Sequence, residues 1–113
     1  MDIQIDNAIK TSSGILEIPA IALAVKVVTG TYSIVDTDYV IFADSNSGAF
    51  TVTLPSATGR AGREFRIIRT NAGEGEDITV TPVGGGDIVL DARYEAVTVL
   101  SNGVHWYVTA KTT

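Results

Sequence analysis

The sequence predicts an all-β fold, a β-sandwich or jelly-roll-like domain preceded by an extended N-terminal segment. Three observations lead there. Apolar residues recur at every second position in short segments, the period of a strand with one buried face. Gly, Asn, Asp, Ser and Pro punctuate these segments, and the segments return at roughly the 8 to 12-residue spacing of sandwiches and barrels. The third is the C-terminus, where Val97-Thr98-Val99-Leu100-Ser101 and Val104-His105-Trp106-Tyr107-Val108 meet at Asn102-Gly103. Asn-Gly best tolerates the positive φ angles of a tight turn, so a terminal hairpin is predicted with the only tryptophan on its second strand.

The chain divides near Gly30, into an N-terminal arm or first strands over 1–29 and a sandwich domain over 30–113. At the start, Ile3 and Ile5 alternate with Asp2, Gln4 and Asp6, and Thr11-Ser12-Ser13-Gly14 then breaks the chain. After Ile15, Leu16 and Ile18, a strand-like run extends from Ala20 to Val28. Ile21, Leu23, Val25 and Val27 share one of its faces, and small residues dominate the other. Such a segment fits a strand covered on both sides, either within the sandwich or against a neighbouring subunit. These nine large aliphatic residues of the arm are the candidate capsid or subunit contacts.

Beyond Gly30 the alternation is cleaner. Tyr39-Val40-Ile41-Phe42-Ala43 is a compact apolar run ended by the turn signal Asp44-Ser45-Asn46-Ser47-Gly48. Phe50, Val52 and Leu54 alternate with Thr51 and Thr53 up to Pro55. A polar loop with Gly59 and Gly62 leaves room for one helical turn at most over 56–63. Strands follow at 64–69, at 78–81 before Pro82, and at Ile88-Val89-Leu90 after the triple glycine of 84–86.

Composition bounds the function. A monomer of 113 residues buries only about two-thirds of its unfolded surface. A hydrophobic fraction of 45% against 19% charged is rich for that size and predicts apolar surface directed at another subunit. A net charge of −5 with scattered Lys and Arg excludes a phosphate-binding face, so nucleic acid is not an expected partner. With no cysteine, disulfides and thiolate metal sites are excluded. The apolar stretch over 18–28 contains Pro19 and Lys26 and is too short to span a bilayer, and it lacks the basic start of a signal peptide. The expectation is a soluble protein made without export.

Active-site chemistry has little to work with. His105 is the only histidine, no serine sits in a nucleophile elbow, and the hairpin pattern turns His105 away from the face of Trp106. His105 therefore reads as a cross-strand surface residue, and Tyr107 as the better exposed contact. Glu74, Glu76 and Asp77 crowd one loop and Asp36, Asp38 and Asp44 flank a strand, but the ordered spacing of a calcium loop is missing. The 84–86 glycines lack the Lys-Ser/Thr of a phosphate loop. No cofactor and no catalytic activity are expected. The tyrosines and Trp106 leave carbohydrate binding as a further possibility, since an aromatic face can stack on a sugar.

The order Asp38-Tyr39-Val40-Ile41, Gly48-Ala49-Phe50-Thr51-Val52-Thr53-Leu54-Pro55, Gly62-Arg63-Glu64-Phe65-Arg66-Ile67 and Ile78-Thr79-Val80-Thr81-Pro82 continues through Tyr94 to Val99, Ser101-Asn102-Gly103 and Trp106-Tyr107-Val108. Across about residues 31–111 this pattern resembles a β-rich module of tailed-bacteriophage virion proteins, found in capsid decoration proteins, head fibres and tail fibres. The resemblance implies a non-enzymatic virion structural protein, assembled as a homotrimer, and carries over no functional residues. Because a short lead segment precedes the β domain, decoration (cementing) of the shell is the leading expectation. The partner would be the major capsid protein of the same phage, with the protein made in the host cytoplasm and ending on the capsid surface. The alternative is a tail-fibre or receptor-binding module recognising a host surface glycan or protein. Neither expectation involves a membrane.

Overall fold

The structure is a computed structural model and describes residues 20–73 and 76–112. Ile3, Ile5, Ile15, Leu16, Ile18 and Glu74 lie outside the described residues. Among the described residues nine strands form: β1 (Val25–Val28), β2 (Tyr32–Ser33), β3 (Val40–Ala43), β4 (Phe50–Thr53), β5 (Glu64–Arg69), β6 (Ile78–Thr81), β7 (Ile88–Leu90), β8 (Ala96–Ser101) and β9 (Trp106–Lys111). They make a five-stranded sheet ordered β1-β3-β5-β8-β9 and a four-stranded sheet ordered β2-β4-β6-β7.

Through β6 the chain alternates strictly between the two sheets, so neighbours within a sheet run parallel: β1 with β3, β3 with β5, β2 with β4, β4 with β6. It is wound like a flattened coil. The closing strands β7, β8 and β9 then pair antiparallel on the far side. Of the two architectures expected, the two-sheet sandwich is found, and the parallel pairing on one side of each sheet distinguishes it from a jelly roll, whose sheets are antiparallel. Apolar alternation reports which face a strand buries and carries no information about the direction of its neighbour.

The two sheets share one apolar layer. Ile41, Phe65, Ile67, Val97 and Val99 face it from the larger sheet, and Val52, Ile78, Val80 and Leu90 from the smaller, each essentially inaccessible to water. Each contributes about 1.5–3 kcal/mol by leaving water. Trp106 seals one end of the layer, its ring 5.4 Å from Phe65 and its Nε1–H donated to the Pro55 carbonyl at 2.7 Å. At the other end Glu95 is buried and accepts from Lys111 Nζ and from the Asp91 N–H, each at 2.7 Å. Burial pushes the Glu95 carboxyl up, but these two donors outweigh it and hold its pKa below the ordinary glutamate value.

Two local expectations change. The strand expected over 20–28 forms only at Val25–Val28, because its neighbour β3 offers just four residues in register. Within one chain the sandwich covers only Val28 of this strand, and Val25, Lys26 and Val27 are exposed. The terminal hairpin forms, but its turn spans Asn102–His105 in place of a two-residue loop. Gly103 supplies the positive φ, and Asn102 Oδ1 accepts from the Val104 and His105 N–H groups, both at 2.9 Å. Val104 is thereby lifted out of the strand and exposed.

Ile67→Ala should lower unfolding free energy by about 2–5 kcal/mol. Val89→Ala, at a half-exposed position on the edge strand β7, should cost under about 1 kcal/mol. Urea titration checks both, and equal losses would contradict this placement of the core.

Candidate functional site

Residues in register on neighbouring strands share a face, so the sheet registers describe each outer surface. On the four-stranded sheet, Thr51 stands beside Thr79 and Thr53 beside Thr81, a hydroxyl-bearing face suited to water. The five-stranded sheet is different. One outer row runs Val27, Phe42, Ile68, Ala96 and another Val25, Val40, Arg66, Thr98, while Leu100 pairs with Tyr107. Val25 and Val27 are 58% and 66% exposed and Tyr107 45%. Phe42, Ile68 and Leu100 are half-buried between them. The contrast is between a polar outer face and an aliphatic and aromatic one.

A charge-balanced cluster interrupts the apolar face. Glu64 Oε1 accepts from Tyr39 Oη at 2.7 Å and from Arg66 Nε at 3.3 Å, and the Arg66 guanidinium lies 5.5 Å from the centre of the Tyr39 ring. The hydrogen bond to Glu64, reinforced by burial, raises the Tyr39 pKa above its ordinary value. The pair adds no net charge to the face.

The sequence candidates divide between the two edges of this sheet. Val25 and Val27 stand on β1, with Ile21 (72% exposed) and the half-buried Leu23 just before it. Tyr107 stands on β9, four strand spacings or about 19 Å away. His105 is exposed beside it, the two rings meeting edge to face at 6.4 Å. Sequence reasoning missed Phe42, Ile68 and Leu100, which bridge the two edges. Their signal was the unbroken run Val40-Ile41-Phe42-Ala43 and the adjacent Ile67 and Ile68, strands apolar on both faces.

Four loops gather at the end of the sandwich that carries His105. Ser56, Ala57, Pro82, Val83, Gly84, Val104, His105 and Trp106 line a cleft of about 260 Å³ there. Gly84 closes against the backbone of Trp106, donating its N–H to the Trp106 carbonyl at 2.7 Å, and a Cβ at Gly84 would crowd the Tyr107 ring. Nearby, Arg60 grips both oxygens of Asp36 at 2.8 and 3.0 Å and holds its carboxyl below the usual aspartate range. Arg63 spends its guanidinium on the carbonyls of Asp36 and Asp38.

The carboxylates around β3 are likewise engaged one by one. Asp38 accepts from Tyr32 Oη at 2.6 Å and from the Val35 N–H, and Asp44 from the Asn46 N–H. Among the described residues, no group of three or more His, Cys, Asp or Glu is placed to hold a metal ion. Tyr32, Tyr39, Tyr94 and Tyr107 lie on separate elements and do not gather into one stacking platform, while Trp106 is buried. The sequence matches no protein-family model, and no curated protein matches it.

Glu64→Ala should bring the Tyr39 ionisation down toward the ordinary tyrosine value, because the acceptor that favours the neutral phenol is gone. NMR titration of the Tyr39 ring resonances reads this directly, and an unchanged midpoint would contradict the assigned contact.

Proposed function

We propose that this chain is a non-enzymatic structural protein that self-associates, as a homotrimer, and decorates a phage capsid through contact with the major capsid protein. The observation that carries the reading is the asymmetry of the sandwich. One outer face is lined by threonine up to Val89 on its edge strand, and the other presents Val25, Val27, Phe42, Ile68, Leu100 and Tyr107 around a charge-neutral pair. Burying such a face is favourable by about 25 cal/mol per Å² of apolar area, because its hydration water is released. The sequence resemblance to virion modules supplies the class of assembly.

The work of such a protein is mass action. Binding only the assembled lattice, it stabilises that lattice by an amount that grows as RT ln(1 + [L]/Kd) at each site. Many weak identical sites then reinforce the shell. The conformational demands are small, which suits a framework in which Arg60, Arg63 and the buried Glu95 are tied into local hydrogen bonds.

A second reading, a tail-fibre module that contacts a host surface glycan or protein, is favoured by the loop-lined cleft beside His105 and Tyr107. Cryo-electron microscopy of intact particles separates the two. Density in many copies at local three-fold positions of the shell is the expected result. Density confined to the tail tip would overturn the decoration reading in favour of the fibre, and particles that carry none of the protein would overturn both.

A further inference from the structure

Three buried side-chain polar atoms have no hydrogen-bond partner among the described residues: Arg69 Nη1, Asn71 Nδ2 and Glu76 Oε2. Their residues are linked through Ser45 and Gly73, at the end of the sandwich opposite the His105 cleft. Buried polar atoms are almost always paired, so three orphans at one spot need a physical account.

The cluster is tightly connected. Arg69 points inward from β5 and is fully buried, donating through Nη2 to the Gly73 carbonyl and through Nε to Ser45 Oγ at 3.4 Å. Asn71 Oδ1 accepts from the Ser45 N–H at 2.8 Å and lies 3.1 Å from the Ser45 hydroxyl, which also reaches the Glu76 carbonyl. Glu76 Oε2 lies so close to Gly73 that a Cβ there would collide with it. The orphan atoms are thus held around Ser45 and Gly73.

We propose that one buried water molecule binds between Arg69, Asn71 and Glu76 and ties Asn71 and Glu76 to the buried guanidinium. The identity follows from the donor and acceptor inventory. Arg69 Nη1 and Asn71 Nδ2 can only donate, and Glu76 Oε2 as a carboxylate can only accept. An anion would meet the two donors but face the Glu76 oxygen. A cation would meet that oxygen but face the Arg69 guanidinium. Water accepts two hydrogen bonds and donates the third, and about three bonds is the usual number for a buried water. Each of the three orphan atoms then has a partner, the condition for holding an arginine without solvent.

A crystal structure of the full chain at about 1.5 Å or better is the direct test. The expected result is a single water peak at hydrogen-bond distance, about 2.7–3.2 Å, from all three atoms. In solution, NMR should show cross-relaxation from a long-lived water to the Asn71 side-chain amide, lost in Glu76→Ala while the rest of the spectrum stays folded. A direct Arg69–Glu76 pair, an ion or another side chain at that position, or an Asn71 amide that shows no long-lived water would overturn the proposal.

Discussion

The contact of Trp106 with Phe65 ties the last strand to the centre of the larger sheet. Phe65 lies on β5, the centre of the larger sheet, and Trp106 begins the last strand. The indole N–H reaches across to Pro55, just beyond a strand of the smaller sheet, so one side chain closes the gap between the layers. The loop over 54–63 is then fixed by neighbours of that contact. Ser101 Oγ donates to the Ala57 carbonyl at 2.8 Å, and the Gly62 N–H donates to the Ser101 carbonyl at 2.8 Å. Without this seal, the apolar layer would open to water at the end where four loops meet, and the cleft beside His105 would have no wall.

A small sandwich has one core and two outer faces, and here the outer faces follow different rules. The threonine face is β-branched, which suits an extended backbone, and its hydroxyls are content in water. The opposite face satisfies the same backbone preference with Val, Ile and Phe, at the cost of leaving them half-exposed in a lone chain. β1 and β9, the edges of this apolar sheet, are exposed over most of their length. Lys26 on β1 is the kind of charge that discourages uncontrolled edge pairing, and it sits 5.6 Å from the Tyr32 ring. The surface therefore favours burial face-on while resisting open-ended sheet extension.

Much of this was legible in the residues. The strands at 40–43, 50–53, 64–69 and 78–81 follow period-two apolar alternation or compact apolar runs, and the terminal hairpin follows from Asn102-Gly103. What the residues could not reveal was the parallel winding, since Ile41 and Ile67 bury themselves equally well beside a parallel or antiparallel neighbour. The two-residue strand at Tyr32–Ser33 is too short to display any period. For the contact surface, Val25, Val27 and Tyr107 could be picked out individually, but their union into one face depends on Phe42, Ile68 and Leu100, whose apolar character alone does not say whether they line a core or a surface. Arg69 shares the inward face of Phe65 and Ile67 by the same alternation, but the partners that hold its charge there were hidden.

The central claim is that the apolar face of the five-stranded sheet is covered by other copies of this chain. Sedimentation equilibrium of the purified full-length protein over micromolar concentrations tests it most directly. The account predicts a mass three times that of one chain, shifting toward the monomer when Ile68 is replaced by Asp. A monomer across the whole concentration range, or a trimer indifferent to Ile68→Asp, would contradict it.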